Sequence, residues 1–297
     1  MSAEALIATQ PPTPLAAFWH AFCENRGAVI GLGVVILVVL GGTFAPLLTI
    51  YDPLNQIRDA VKLPPVWVEG GNWAHPLGTD PLGRDMWARL IYGSRLSLFI
   101  GLAVMFVSTA FGVIVGLFTA WKGGWVDVVV QRLMDLIISI PDILLSIMVI
   151  AVIGPNLTNT VIAIMVVYLP RYVRIVRSSA LVELSKDYVT AAKVSGVRPL
   201  RLMLTGVFPN CLAPLIVQAA LGLSDAILAA AALGFLGLGA QPPTPEWGSM
   251  LADTKDLITS NPWVMAMPGI AILITVLAIN LMGDGLRDAL DPRLRRS

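Results

Sequence analysis

Charge is missing from five long stretches of this 297-residue chain: between Arg26 and Asp52, Arg95 and Lys122, Asp142 and Arg171, Arg201 and Asp225, and Asp256 and Asp284. A helix that crosses about 30 Å of hydrocarbon needs about 20 mostly apolar residues, so each stretch can hold a span. The fourth continues past Asp225 to Ala240, which makes Asp225 an interruption within one helix rather than its end. Charged residues make up 13% of the chain, against about 25% in an ordinary soluble domain. The chain therefore reads as an all-α integral membrane protein.

One apolar block is too long for a single crossing. Leu136 to Leu169, with Asp142 its one charge, would form a helix of about 50 Å. Gly154-Pro155-Asn156 in its centre is a turn signal, which splits the block in two. Six spans are expected: Ala28 to Leu48, Ser97 to Ala120, Met134 to Ile153, Leu157 to Val176, Ala213 to Gly237 and Trp263 to Met282.

With six spans and both termini inside, 14 of the 20 Lys and Arg residues lie on the cytoplasmic side. An inverted five-span arrangement scores 16 against 4 but requires the unbroken long helix. Helix length thus favours six. The expected organisation is a cytoplasmic segment 1–27 with an interfacial helix anchored by Phe18 and Trp19, a first span 28–48, an extracytoplasmic segment 49–96, a five-helix core 97–283 and a cytoplasmic tail 284–297. Within the core lie a cytoplasmic loop 177–210 and an extracytoplasmic loop 240–262. The first span does not read as a cleavable leader, because about 26 residues precede it without a basic cluster and no A-x-A-like site follows.

Several chemistries are excluded. None of the five lysines follows a glycine, so there is no G-x-x-x-x-G-K-[ST] phosphate loop. His20 and His75 fall on opposite sides of the membrane, which rules out an H-E-x-x-H metal site, and no G-x-S-x-G elbow occurs. Cys23 and Cys211 are the only cysteines, too few for a disulfide scaffold. A net charge of +1 gives no electrostatic footing for nucleic acid. What remains is passage, gating or docking, with no cofactor or metal in this chain.

The longest cytoplasmic loop is ordered by its sequence. Arg171, Arg174 and Arg177 share one arc at the inner end of the fourth span, where they would meet lipid phosphates or an acidic partner surface. Leu181 to Val194 reads as helix, Gly196 as its left-handed stop and Pro199 as the start of the next helix. Asp187 to Gly196 (DYVTAAKVSG) and Val207 to Ala219 (VFPNCLAPLIVQA) resemble the cytoplasmic signature of ABC importer permeases. Ala191, Ala192, Gly196 and Pro209 match it, whereas Thr190 stands where that family usually has glutamate. The resemblance implies that Thr190, Ala191, Ala192, Lys193, Gly196, Val197 and Pro209 couple the spans to an ATPase.

The likeness extends along nearly the whole chain. HPLGTDPLGRD (75–85), FTAWKGGWVD (118–127), GLGAQPPTPEWGSML (237–251) and GDGLRDALDPRL (283–294) are similar to the C-type permease of dipeptide and oligopeptide ABC importers. TPLAAFWHAF (13–22) and NCLAPLIVQA look like the dipeptide member in particular. The implied fold is a type I importer permease-like bundle in a bacterial inner membrane. The implied partners are a homologous B-type permease, two cytoplasmic ATPases that hold ATP and Mg, and an extracytoplasmic peptide-binding protein.

Polar residues within a span, and ionisable ones above all, ordinarily face protein or water, so Gln218, Ser224 and Asp225 are the pathway candidates, Asp225 the clearest, with a structural hydrogen bond to a neighbouring helix as its alternative. Asn280 and Asp284 are expected at the capped inner end of the last span, and Asp142 as a helix-start carboxylate near the inner boundary. Asp127, Arg132 and Asp135 can pair locally. Ala229 to Ala232, Gly234, Gly237 and Gly239 permit close helix approach. On the outer side Gln241, Pro243, Glu246 and Trp247 are the candidates for docking the binding protein, with an interfacial aromatic belt as the alternative. A secondary transporter or a membrane scaffold would share the hydropathy. The first would need coupling machinery and several buried ionisable groups, and the second would not need both the inner and the outer ordered segments. Oligopeptides, nickel chelates, glutathione and haem are the alternative substrates within the family.

Overall fold

The computed structural model describes residues 13–290; the Pro-rich lead before Thr13 and the basic tail with Arg293, Arg295 and Arg296 lie outside the described residues. The described chain is helical with no strand. Helix α1 (Pro14–Glu24) is capped by Thr13, and its Phe22 is buried while Trp19 is exposed. Asn25 caps the next helix, α2 (Arg26–Thr43), and a break at Phe44 before Pro46 leads into the short α3 (Ala45–Leu48).

The second predicted span is longer than expected. Helix α4 (Met86–Lys122) begins at the Asp85 cap, so the stretch 85–96 assigned to an extracytoplasmic segment forms the first turns of the span. The third predicted span is not one straight helix. Helices α5 (Gly124–Ile138) and α6 (Asp142–Ile153) are bent by 95° across residues 139–141. Pro141 supplies the reason, since its ring disfavours helix in the residue before it and it has no N–H to donate. Ser139 and Ser146 hydroxyls bond back to Leu136 and Asp142 carbonyls on either side of the bend. At 12 residues, about 18 Å, α6 alone is too short to cross.

The Gly-Pro-Asn break is present. Gly154 ends α6 with φ +90°, and Asn156 caps α7 (Leu157–Leu184) by accepting from the Asn159 amide. The α7 helix runs eight residues past the predicted boundary, so the first part of the expected 177–210 loop is helix, and Leu181 to Val194 is divided at Ser185–Lys186. The loop then holds α8 (Asp187–Val194), a turn at Gly196 with φ +76°, and α9 (Pro199–Leu202) with Pro199 in its first turn. A π-helical turn (Met203–Val207) joins α9 to α10 (Phe208–Phe235). Helix α11 (Trp247–Thr254) lies in the expected outer loop, and α12 (Pro262–Leu290) closes the bundle. Asn280 and Asp284 are inside α12, not at its end.

Five of these helices are long and apolar enough to cross a membrane, or six crossings if the bent α5–α6 pair is one broken span. The core sits where α4, α7 and α10 meet, around Ile100, Val104, Ile164, Tyr172, Val176 and Ala226. Missing side chains set the helix separation. A Cβ on Gly112 would lie 2.4 Å from Tyr172 Cβ, and one on Gly222 would lie 2.0 Å from the Tyr172 hydroxyl. Tyr172 thus fills a slot that two glycines leave open, one on α4 and one on α10.

Candidate functional site

The charged residues of α7 determine what the centre of the bundle can do. Arg171, Arg174 and Arg177 recur every three residues, so they lie along one arc of the helix. Each arginine finds an acid in the same chain. Arg177 makes a forked pair with Asp127, and Arg174 pairs with Asp135, both from α5. Arg171 reaches Asp142 at the start of α6 and, 3.0 Å away, Asp225 on α10. The expectation that these arginines project to lipid phosphates or a partner is corrected: the bend after α5 brings a row of aspartates against them. Arg132 also pairs with Asp135 at 3.5 Å, the local pairing expected from spacing.

The triad of Asp142, Arg171 and Asp225 is deep. The α6–α7 turn and the segment after α10 share one end of the bundle, since the Thr160 hydroxyl donates to the Leu238 carbonyl at 2.7 Å. Counted from that end at 1.5 Å per residue, Asp142, Arg171 and Asp225 lie about 17, 21 and 15 Å down their helices. The triad therefore lies several helical turns inside the bundle from that end. A charged side chain at the centre of a span costs about 2.5–3.5 kcal/mol on insertion scales unless it faces protein or water. Yet the three side chains are 41–45% exposed in the isolated chain.

Aromatic and apolar groups finish the site. The Arg171 guanidinium sits 4.7 Å from the Tyr168 ring centroid, a cation–π contact. Beside the triad is a cavity of about 230 Å³ lined by Ile143, Ser146, Val167, Tyr168, Leu228 and Leu233 among others. Of the other predicted pathway residues, Ser224 is buried and donates to Asn280 on α12 at 2.6 Å, a helix-to-helix bond. Gln218 lines a separate cavity with Ile175 and Arg287, so the three candidates do not share one site. Arg171 and Asp142 were missed as members because nothing in local spacing links residues so far apart in sequence.

At the end of α7 opposite the α6–α7 turn, Val189 is the buried residue of α8, while Thr190, Ala191, Lys193 and Gly196 are exposed, Ala192 and Val197 half-buried and Pro209 exposed. Thr190 leaves the helix without the usual carboxylate, but Glu183 at the end of α7 provides one nearby. Glu183 is buried and accepts from Lys186 Nζ at 2.7 Å and from the Tyr188 hydroxyl at 3.0 Å. Tyr188 also reaches the Gly206 carbonyl at 3.1 Å, which ties α8 to the π-helical turn. The bond to Glu183 raises the Lys186 pKa above its ordinary value, and partial burial does the same for the Tyr188 phenol.

After α10, Gln241 and Pro243 are exposed, but Glu246 and Trp247 are 2% exposed. These two are corrected from surface to interior. Glu246 caps α11, accepting from the Gly248 and Ser249 amides at 2.7 and 2.8 Å and from the Ser97 hydroxyl at 3.3 Å. Burial pushes its carboxyl above the ordinary glutamate range, partly offset by those donors. The Trp247 indole donates to the Leu90 carbonyl at 3.0 Å. The small residues of α10 serve this contact, because a Cβ on Gly234 would meet Glu246 and one on Gly248 would meet Ala231. Before α4, the motif 75–85 folds into a buried ionic cluster in which Asp80 holds Arg84 at 2.5 Å, Arg84 reaches Asp253 at 3.3 Å, and His75 Nδ1 lies 2.8 Å from Asp85.

Among the described residues no group of His, Cys, Asp or Glu is arranged to hold a metal. Comparison with known proteins agrees with a transport role. Residues 112–296 match the family model for the binding-protein-dependent transport system inner membrane component, and residues 13–65 match that for the N-terminal TM domain of oligopeptide transport permease C. The chain is 52% identical to the di/tripeptide transport system permease protein DppC of Pseudomonas aeruginosa, over 96% of this chain and 94% of that one. It is likewise 52% identical to the dipeptide transport system permease protein DppC of Escherichia coli K12, over 98% and 97%. Among solved structures, an inward-facing form of the MetNI methionine ABC transporter aligns with TM-score 0.51 at 22% identity, covering 69% of this chain and 98% of that one, which speaks to the fold alone. A multi-span helical bundle with an ordered helix-turn-helix, matched along nearly its full length by such permeases, belongs to the family of binding-protein-dependent transport system inner membrane components.

Proposed function

We propose that this chain is one permease half of an ATP-driven peptide importer, with dipeptides as its substrate class. The observation that carries this is the near full-length identity to permeases whose names specify dipeptides or di- and tripeptides. The match of residues 13–65 to an oligopeptide permease model favours longer peptides as the second reading. The chain supplies a path and no engine, since the sequence holds no phosphate loop. ATP and Mg belong to two partner ATPases, and a homologous permease completes the path.

In this reading the exposed α8 face (Thr190, Ala191, Lys193), with Ala192 and the turn at Gly196 and Val197, lies in a groove of an ATPase. Pro209 at the start of α10 passes that motion to the helix carrying Asp225. Gln241 and Pro243 meet the peptide-binding protein on the opposite side, with Glu246 and Trp247 supporting them from within. Both termini are cytoplasmic.

Reconstitution of the chain with its permease partner, ATPases and peptide-loaded binding protein in proteoliposomes tests this. ATP-dependent dipeptide uptake is expected, with none from the chain alone. Uptake by the chain alone against a gradient would overturn the reading. So would labels at Lys193 and the C-terminus appearing on opposite faces of the membrane.

A further inference from the structure

We propose that the Asp142–Arg171–Asp225 triad and the cavity beside it form the station in the path where a peptide's two terminal charges are held. The inference rests on the peptide-importer reading and adds the chemistry by which the path recognises its cargo.

Charge arithmetic comes first. Two carboxylates share one guanidinium, so the triad carries one excess negative charge. A peptide's N-terminal ammonium can pair with one of the two carboxylates, and because the peptide itself is a zwitterion the total charge of the site does not change. Arg171 divides its donors, giving Nη2 to Asp142 and Nη1 to Asp225. If the peptide ammonium draws Asp225 away, the Nη1 side of Arg171 becomes free for the peptide carboxylate. A guanidinium fork suits that group. The same rearrangement restores the Arg171–Asp225 pair when the peptide leaves, so each charged group has a partner in both states.

Geometry then gives the direction. Ser146 lies one turn beyond Asp142, Val167 one turn before Arg171, and Leu228 one turn beyond Asp225. All three displacements point toward the α6–α7 turn, the end of the bundle shared with the segment after α10. The cavity therefore precedes the triad for a solute arriving from that end. Its walls, Ile143, Val167, Leu228 and Leu233, are apolar and recognise no particular side chain, which fits a carrier of varied peptides. Its volume of about 230 Å³ is below the ~300 Å³ lower end of small-molecule sites, as suits one half of a site that a second permease closes.

The test uses the assembled complex in proteoliposomes, reading dipeptide uptake and the ATP hydrolysis stimulated by loaded binding protein. Asp225→Asn and Arg171→Gln are each expected to lower uptake at least tenfold while stimulated hydrolysis stays within twofold. The triple variant Asp142→Asn, Arg171→Gln, Asp225→Asn removes all three charges, so a cluster that only ties α6, α7 and α10 together would regain uptake in it. The proposal expects the triple variant to stay low, and uptake near the wild-type rate would overturn it. A second measurement leaves the triad intact. With Cys23→Ser, a thiol reagent should label Leu228→Cys on the cavity wall, and a free dipeptide should protect it while its N-acetylated, C-amidated form does not. Equal protection by the two peptides would overturn the proposal. A wild-type complex that hydrolyses ATP yet moves no peptide would instead overturn the importer reading itself, and the ligand assigned here with it.

Discussion

Arg171 on α7 and Asp225 on α10 are 54 positions apart in the chain, and their side chains meet at 3.0 Å. That contact joins the helix leading into the inner helix-turn-helix with the helix leaving it. A push on α8 and α9 therefore reaches one pair of charges from two sides.

The slot occupied by Tyr172 sets the spacing of three helices. Gly222→Ala should destabilise the solubilised complex by about 1–3 kcal/mol, because the added carbon falls 2.0 Å from the Tyr172 hydroxyl. Tyr172→Phe in the same chain should recover part of that loss. A thermal melt of the single and double variants checks this, and an unchanged melting temperature for Gly222→Ala would show that the slot is loose.

Glu246 combines a helix cap with burial. Glu246→Ala should cost about 0.5–2 kcal/mol through loss of the α11 cap. The pH dependence has a definite sign. Because burial raises its pKa in the folded chain, protons bind the native state more tightly, so its contribution is complete below about 4.5 and falls as pH rises through the raised value. Glu246→Gln should flatten that part of the stability–pH curve, as followed by melts across pH. A curve parallel to the wild type would contradict it.

The cluster before α4 is built from charges that compensate one another. Asp80 lies against both Arg84 and Arg89, and all three are 2% exposed. Asp80→Ala leaves two buried cations short of an acid and should cost about 3–5 kcal/mol. Limited proteolysis from the outer side should then cut within 49–85, where the wild type resists.

Tyr188 fastens α8 to the π-helical turn through its hydroxyl. Tyr188→Phe should loosen the loop by about 1 kcal/mol, read as faster amide exchange over 187–207. Uptake per ATP hydrolysed should fall while peptide affinity of the binding protein is unaffected.

Crosslinkers placed at Gln241 or Pro243 should capture the binding protein in the assembled complex, whereas one at Trp247 should react within its own chain. That contrast follows from their burial, exposed for the first two and 2% for the third. Capture from Trp247 alone would require the outer loop to open.

Local patterns were enough for much of the fold. Hydropathy is a property of neighbouring residues, so the spans, the Gly154 break, the Gly196 turn and Pro199 at the head of α9 could all be read directly. Helix ends were less legible: α4 and α7 run past their apolar stretches because their charged side chains find partners within the chain, and hydropathy takes no account of such pairing. The bend at Pro141 was hidden because the residues directly flanking it, 136–140 and 143–153, are mostly apolar. Glu246 and Trp247 looked like surface residues in a Pro-rich loop, and only the glycine and alanine face of α10 draws them inside.

The sequence by itself determined a membrane bundle with an ordered helix-turn-helix corner, because composition and short-range periodicity decide what can sit in lipid. Only the tertiary structure decided which charges meet. Asp127, Asp135 and Asp142 precede the arginines they neutralise by 50, 39 and 29 residues, and Asp225 follows Arg171 by 54. Chain separation of that size carries no local signal, and the bend after α5 together with the packing of α7 on α10 is what brings those side chains together.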